Sequence, residues 1–314
     1  MHAVRTLAFF FLTGLMLLPA HSQATPQVVV SIKPLHSLVA GVTEGVHEPE
    51  LLLSAGDSPH TYSMRPSEAR AVRSADLIVY VSPHMEAFLK RALATRDQPD
   101  SVLAAAEVEG VELLGSRTGE AWGERHHETH GDDTHEETNP HRQDYHLWLD
   151  PDNAKAITTA VAERLAELDP ENAPTYRANA KAQQERIDRL TGQLQERLTP
   201  IQDEPYVVFH DAYQYFERHF GLSGVGAVTV NPDQPPGASH LHKLRQRIRE
   251  LGAVCVFSEP QFEPAIVRSL VEGLDARSGD LDPIGAGLEA GPDAYFELLE
   301  QLAEGFLDCL EQDH

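Results

Sequence analysis

Tyr176, Ala180, Gln183, Ile187, Leu190, Leu194 and Leu198 recur at spacings of three and four, which traces one apolar stripe down a helix of 3.6 residues per turn. Pro170 and Pro200 bracket the stripe, as suits residues that fit helix boundaries and not helix interiors. From Pro174 to Leu198 such a helix extends roughly 35 to 40 Å at ~1.5 Å per residue. A flexible linker would be rich in Gly and Ser; this segment is a strut, and whatever lies before and after it must be two bodies on one rigid element.

Each side of the strut repeats the same kind of pattern. VVVSI (28–32), ELLL (50–53), DLIVYV (76–81) and SVLAA (101–105) read as strands of a first half. PYVVFH (205–210), VGAVTV (225–230), AVCVF (253–257) and a short piece from Asp280 to Ile284 read as strands of a second. Helical patterns lie between them, among them Leu241 to Leu251, Pro264 to Leu274 and Ala294 to Leu310. Strands alternating with helices predict an α/β fold with parallel sheets. At 314 residues with 41% hydrophobic content, two lobes are expected: 25–169, then the long helix within 170–199, then 200–314. The halves repeat in type, without an internal sequence repeat.

Arg5 followed by the apolar run Leu7 to Leu18, too short for the ~20 residues of a membrane-spanning helix, reads as a secretory signal peptide. Ser22 and Ala24 supply small residues for cleavage after Ala24, so residues 1–24 are expected to be removed. No Cys follows the run, which argues against a lipid anchor. A net charge of -24 argues against nucleic acid and anionic membrane surfaces as partners and suits cationic ones. In an oxidising compartment an isolated pair, Cys255 and Cys309, is more often a disulfide than a catalytic or metal site; it would staple the last helix to an apolar strand.

Six histidines fall within residues 126–148. Five of them, His126, His127, His130, His135 and His141, share the segment Ser116 to Gln143 with seven acidic residues and little that is apolar. Such a segment cannot fold by itself, so it reads as a mobile insertion. Its imidazoles make it a weak, multivalent collector of metal such as zinc or copper, set against the plainer reading of a solvated polar loop. His146 differs: it lies in the extended run DYHLWLDP, where Asp150 can cap a helix started by Pro151.

His146 has company of its own type. In PYVVFHDAYQYFERHF, His210 ends a strand, and Asp211 with Gln214 resembles a capping box whose helix would keep that imidazole neutral. In GDSPHTYSMRPSEAR, His60 sits on a loop past a strand, stiffened by Pro59 and Pro66. Three histidines on three strand-end loops can converge in a cleft and bind a metal. Asp282 in GDLDPIGAG is a fourth candidate, although Asp-Pro is also ordinary turn chemistry.

SPHTYSMRPSEA, DYHLWLDP, VVFHDAYQYFE, VFSEPQFEP and LDPIG, in this order around a long central helix, resemble the periplasmic zinc-binding component of ABC uptake systems, the ZnuA type. The resemblance spans roughly residues 28 to 310. It implies two (β/α) lobes joined by a rigid helix, Zn2+ in the interlobe cleft as the transported ligand, and delivery to a membrane permease. It makes His60, His146 and His210 the zinc ligands, and it matches Cys255 and Cys309 to a disulfide and the 116–143 insertion to a feature of many zinc members. Where some members carry a Glu before the first histidine, this chain has Pro59, which leaves Asp282 or a water for the fourth place. Manganese-binding relatives have a carboxylate where this chain has His210, and three imidazoles favour zinc.

The rival readings are a manganese or iron receptor of the same fold, a periplasmic zinc buffer or chaperone without a permease, and an exported zinc hydrolase. The last needs a general base by the metal, and H-E-x-x-H is absent: His135-Glu136 is followed by Asn139 where the second His should stand. The reading is therefore a monomeric, periplasmic receptor and not an enzyme. His84, His240 and His242 match no ligand position, and Glu259 reads as support for the fold or the cleft wall.

Overall fold

The computed structural model describes residues 25–53, 57–96, 101–118, 122, 143–229, 236–262 and 265–311. The signal-peptide reading of residues 1–24 and its cleavage site lie outside the described residues. The first lobe runs β1 (Val28–Val30), α1 (Lys33–Thr43), β2 (Glu50–Leu51), α2 (Pro66–Ser74), β3 (Leu77–Tyr80), α3 (Lys90–Leu93) and β4 (Val102–Ala104). A short pair, β5 (Leu114–Gly115) and β6 (Gln143–Asp144), and then α4 (Pro151–Leu168) complete it. Helix α5 (Ala173–Leu198) crosses to the second lobe: β7 (Tyr206–His210), α6 (Gln214–Phe220), β8 (Gly224–Thr229), α7 (Ala238–Leu251), β9 (Cys255–Ser258), α8 (Ala265–Val271), β10 (Arg277–Asp280) and α9 (Ala294–Leu310).

The sheets have orders β2-β1-β3-β4 and β10-β9-β7-β8, and every pairing within them is parallel. Counted from its own first strand, each lobe has the order second, first, third, fourth. Each therefore reverses its winding between its first and third strands, at whose carboxyl ends α/β proteins characteristically bind ligands.

Alternate residues of the strands face opposite ways. Val28, Val30, Val79, Tyr206 and Val208 point into one core shared by both lobes, with Leu38 of α1, Ile157 of α4, Ile187 of α5 and Phe306 of α9. Val29 and Ile78 face a smaller outer cluster under α2 and α3; Val207 and Val256 face another under α7 and α8. Phe306 packs against Tyr206, Tyr213, Phe216 and Phe257 at ring distances of 5.1 to 6.2 Å, and its loss to Ala would cost about 3–5 kcal/mol. The apolar stripe of α5 is buried as its spacing predicts. Gly41 lets α1 approach it, since a Cβ there would stand 2.0 Å from Gln183 Oε1.

Polar ties cross between the lobes. Lys33 Nζ donates to the carbonyls of Gly285 (2.7 Å), Ala286 (2.9 Å) and Leu288 (2.6 Å). Trp148 Nε1 donates to Pro283 O at 2.8 Å, and the Tyr295 backbone N–H donates to Ser37 Oγ at 2.9 Å. Cys255 and Cys309 form a disulfide that joins β9 to α9.

Three local expectations need correction. The last strand is Arg277–Asp280, not 280–284: it is a largely exposed edge strand without an apolar signal, while the apolar piece after it folds into the following loop. Of DYHLWLDP only Asp144 lies in a strand; Leu147–Leu149 forms a 3-10 turn, with Leu147 O accepting from Asn153 Nδ2 at 3.1 Å. Asp211 caps nothing: α6 begins at Gln214 without a side-chain cap, because the Asp211 carboxylate accepts from Arg117 instead. Asp150 does cap α4, accepting from the Asp152 N–H at 2.8 Å with Pro151 next in line.

Candidate metal centre

A pocket opens between the lobes, lined by His60, His146 and His210 among others. His60 stands in the loop between β2 and α2, its backbone N–H donating to Ser58 Oγ at 3.3 Å. His146 stands two residues past the end of β6, and His210 is the last residue of β7. Donor atoms of the three side chains lie within 4.8 Å of one another, and His146 Nε2 is 3.3 Å from His210 Nε2.

Two of the rings are held by carboxylates. His146 Nδ1 lies 2.7 Å from Asp144 Oδ1, which also accepts the His146 backbone N–H at 3.0 Å. His210 Nδ1 lies 2.6 Å from Glu259 Oε1, just past the end of β9. An ionised carboxylate can only accept, so with Asp144 and Glu259 ionised, as a cation in the pocket would make them, each Nδ1 carries the proton and each Nε2 turns a lone pair into the pocket. His210 and Glu259 end neighbouring first and third strands and so straddle the winding reversal of the second lobe.

The electrostatics favour neutral imidazole. Burial, and then the neighbouring His146, pushes His210 down to about 3. Burial, His146 and His210 push His60 well below the usual histidine value. The cause for His210 is thus burial and not the helix end the sequence suggested. Burial also pushes the Glu259 carboxyl up to about 8, a preference that a divalent cation among the imidazoles would oppose.

Asp282 is not in this cluster. Its Oδ1 accepts from Gln261 Nε2 (2.7 Å), Ile284 N (3.1 Å) and Gly285 N (3.0 Å), and its Oδ2 accepts from Ala286 N (2.6 Å). His84 stacks on Tyr145, and His240 Nε2 lies 3.1 Å from Ala227 O; with His242 they stand outside the triad. Asp144 and Gln261 were not found from sequence, and Glu259 was read only as support for the fold or the cleft wall, because their roles exist only across space. His126, His127, His130, His135 and His141 lie outside the described residues. The insertion is anchored at its start: Arg117 pairs with Asp211 and Glu217, its guanidinium over the Trp122 ring at 3.5 Å.

A second cluster, Asp150, Asp152 and His219, also brings donor atoms within 4.8 Å. Lys155 already pairs with Asp152 at 2.8 Å, and the positive end of α4 disfavours a cation there.

Two parallel-sheet lobes on one helix, with three histidines converging in the cleft, define the class of two-lobed metal-binding proteins. Solved structures share the fold: a ZnuA deletion mutant with zinc bound (TM-score 0.73, 23% identity, covering 93% of this chain and 100% of that one) and the periplasmic zinc-binding protein TroA from Treponema pallidum (TM-score 0.74, 20% identity, 92% and 100%). The family model for the zinc-uptake complex component A, periplasmic, ZnuA, matches residues 28–309. The high-affinity zinc uptake system protein ZnuA of Brucella suis is 43% identical over 91% of this chain and 92% of its own length. That of Yersinia pestis is 39% identical over 95% and 96%. The chain belongs to the ZnuA family, a periplasmic solute-binding family for zinc uptake and not a family of enzymes. Among the described residues no helix is long and apolar enough to cross a membrane.

Proposed function

We propose that this chain captures Zn2+ in its interlobe cleft through His60, His146 and His210 and hands it to the membrane permease of an ABC uptake system. It does so in the periplasm as a monomer, after cleavage behind Ala24, and without catalysis. The observation that carries the reading is the 3.3 Å between His146 Nε2 and His210 Nε2. Two nitrogens bound to a tetrahedral zinc at ~2.0–2.1 Å stand ~3.3–3.4 Å apart. Three imidazoles suit zinc better than manganese, whose sites lean to oxygen. The fourth position falls to water or, at the expense of four hydrogen bonds, to Asp282. A hydrolase would need a free base beside that water, and the nearby carboxylates Asp144 and Glu259 are engaged on Nδ1 atoms. The histidines of the 116–143 insertion gather further zinc weakly near the cleft and raise its local concentration.

The test is titration of metal-free mature chain with zinc against a competing chelator. The parent should show one tight site and additional weak equivalents; deletion of 116–143 should remove only the weak ones. His146→Ala should lose the tight site, and a folded His146→Ala variant that binds zinc as tightly as the parent refutes the ligand assignment.

A further inference from the structure

Gln261 lines the pocket with the three histidines, whereas Asp282 stands behind it. The Asp282 carboxylate accepts two backbone N–H groups on the same oxygen that meets Gln261 Nε2 at 2.7 Å. A carboxylate in that role cannot donate, so the NH2 end of the Gln261 amide must face it. The carbonyl end therefore points away from Asp282, whichever way the amide is drawn. Among the described residues Gln261 Oε1 is buried and has no hydrogen-bond partner, and an orphaned buried acceptor costs about 1–3 kcal/mol. The frame behind it is stiff: Lys33 of the first lobe clamps the carbonyls of Gly285, Ala286 and Leu288, in the same loop that holds Asp282.

From this geometry we infer that Gln261 Oε1 accepts a hydrogen bond from the water that completes the zinc coordination, with Asp282 acting as the anchor that aims the amide. The inference rests on the reading of His60, His146 and His210 as the zinc ligands. It gives the site a specificity: the fourth metal ligand must carry a proton to donate. Water satisfies Gln261; an anion such as thiocyanate faces it lone pair to lone pair. Gln261 is a positioning residue for the bound water, and Asp282 positions Gln261.

The experiment uses the mature chain loaded with Zn2+ for affinity and with Co2+ for spectroscopy, in the parent, Gln261→Leu, Asp282→Ala and the double variant. Gln261→Met serves if Gln261→Leu does not fold. Loss of the acceptor should weaken zinc binding roughly tenfold, toward the low end for partners outside the coordination sphere. Asp282→Ala should add nothing further in the Gln261→Leu background, since both act on one hydrogen bond. Electron–nuclear double resonance of the parent cobalt form in D2O should register a bound water, and thiocyanate should bind Gln261→Leu cobalt protein about tenfold more tightly than the parent. Unchanged zinc affinity and thiocyanate binding in Gln261→Leu overturns the inference. So does a further tenfold loss from Asp282→Ala in the double variant, which would make Asp282 itself a ligand, or a parent cobalt site without water. A parent that binds no zinc tightly overturns both this inference and the ligand reading; a parent that binds tightly while Gln261→Leu is silent overturns this inference alone.

Discussion

The two lobes share a strand order, and each places a buried carboxylate across its winding reversal, but the carboxylates have different partners. In the second lobe Glu259 holds the ring of His210. In the first, Glu86 accepts from Ser31 Oγ just past β1 and from the backbone N–H groups of Val81 and Ser82 just past β3. The same construction seals one sheet end and holds a histidine of the proposed metal site at the other. The difference lies in the residue that ends the first strand of each lobe: a serine hydroxyl satisfies its carboxylate and stops there, whereas an imidazole satisfies it with one nitrogen and has another to offer.

The sharpest break of that comparison is to remove both first-strand partners. His210→Ala should weaken zinc binding about a thousandfold or more, about 4 kcal/mol, because a bond to the metal is lost. Ser31→Ala should leave zinc affinity within a factor of two or three; chelator competition measures both.

The lobes differ next in their covalent support, since the disulfide lies wholly in the second. Replacing Cys255 and Cys309 by Ser should cost about 2–4 kcal/mol in urea unfolding. Tight zinc binding should survive in the folded fraction, which equilibrium dialysis at low urea would show.

Protonation treats the two carboxylates alike, since burial raises each above its ordinary value. Burial pushes Glu86 up from 4.5 to about 7, so between those values the folded chain binds a proton that the unfolded chain has lost. The stability linked to Glu86 is complete below about pH 4.5 and declines as pH rises to about 7, by an amount on the order of 3 kcal/mol. Glu86→Gln should flatten that part of the decline in metal-free protein, as read from urea midpoints between pH 5 and 8.

The smallest expected effect sharpens the distinction. Glu259→Gln should cost ten- to a hundredfold in zinc affinity, as for other carboxylates that orient a ligating imidazole. Glu86→Gln, equally buried in the other lobe, should cost none, and isothermal titration with a competing chelator compares the two.

Much of this architecture was legible in the residues themselves, and the limits are physical. Val28–Val30, Leu77–Tyr80 and Tyr206–His210 are buried on both faces and so announce themselves as apolar runs. Arg277–Asp280 is an edge strand with little to bury, and its sequence is that of a loop. The stripe of α5 fixed a rigid crossing because its spacing repeats over seven turns' worth of chain. The three histidines could be picked out because each stands on or beside a stretch that follows an apolar strand-like run. Asp144 and Gln261 could not, and Glu259 only as support for the fold or the cleft wall, since an orienting carboxylate or amide is defined by what it meets and not by its neighbours in the chain. The capping box at Asp211 failed for the same reason: its competitor, Arg117, lies 94 residues away.

The core that runs unbroken from Val30 through Ile187 to Phe306 makes the two lobes a single cooperative unit. Among the described residues the core has no break between the halves, so thermal unfolding is expected in one transition, with the calorimetric and van't Hoff enthalpies equal. A ligand gripped by residues from both halves then stabilises the whole chain by mass action, about 4 kcal/mol at a free concentration a thousandfold above its dissociation constant. Cargo and lifetime become coupled: when zinc is scarce the empty receptor opens globally more often, and proteolysis falls on it before its loaded twin.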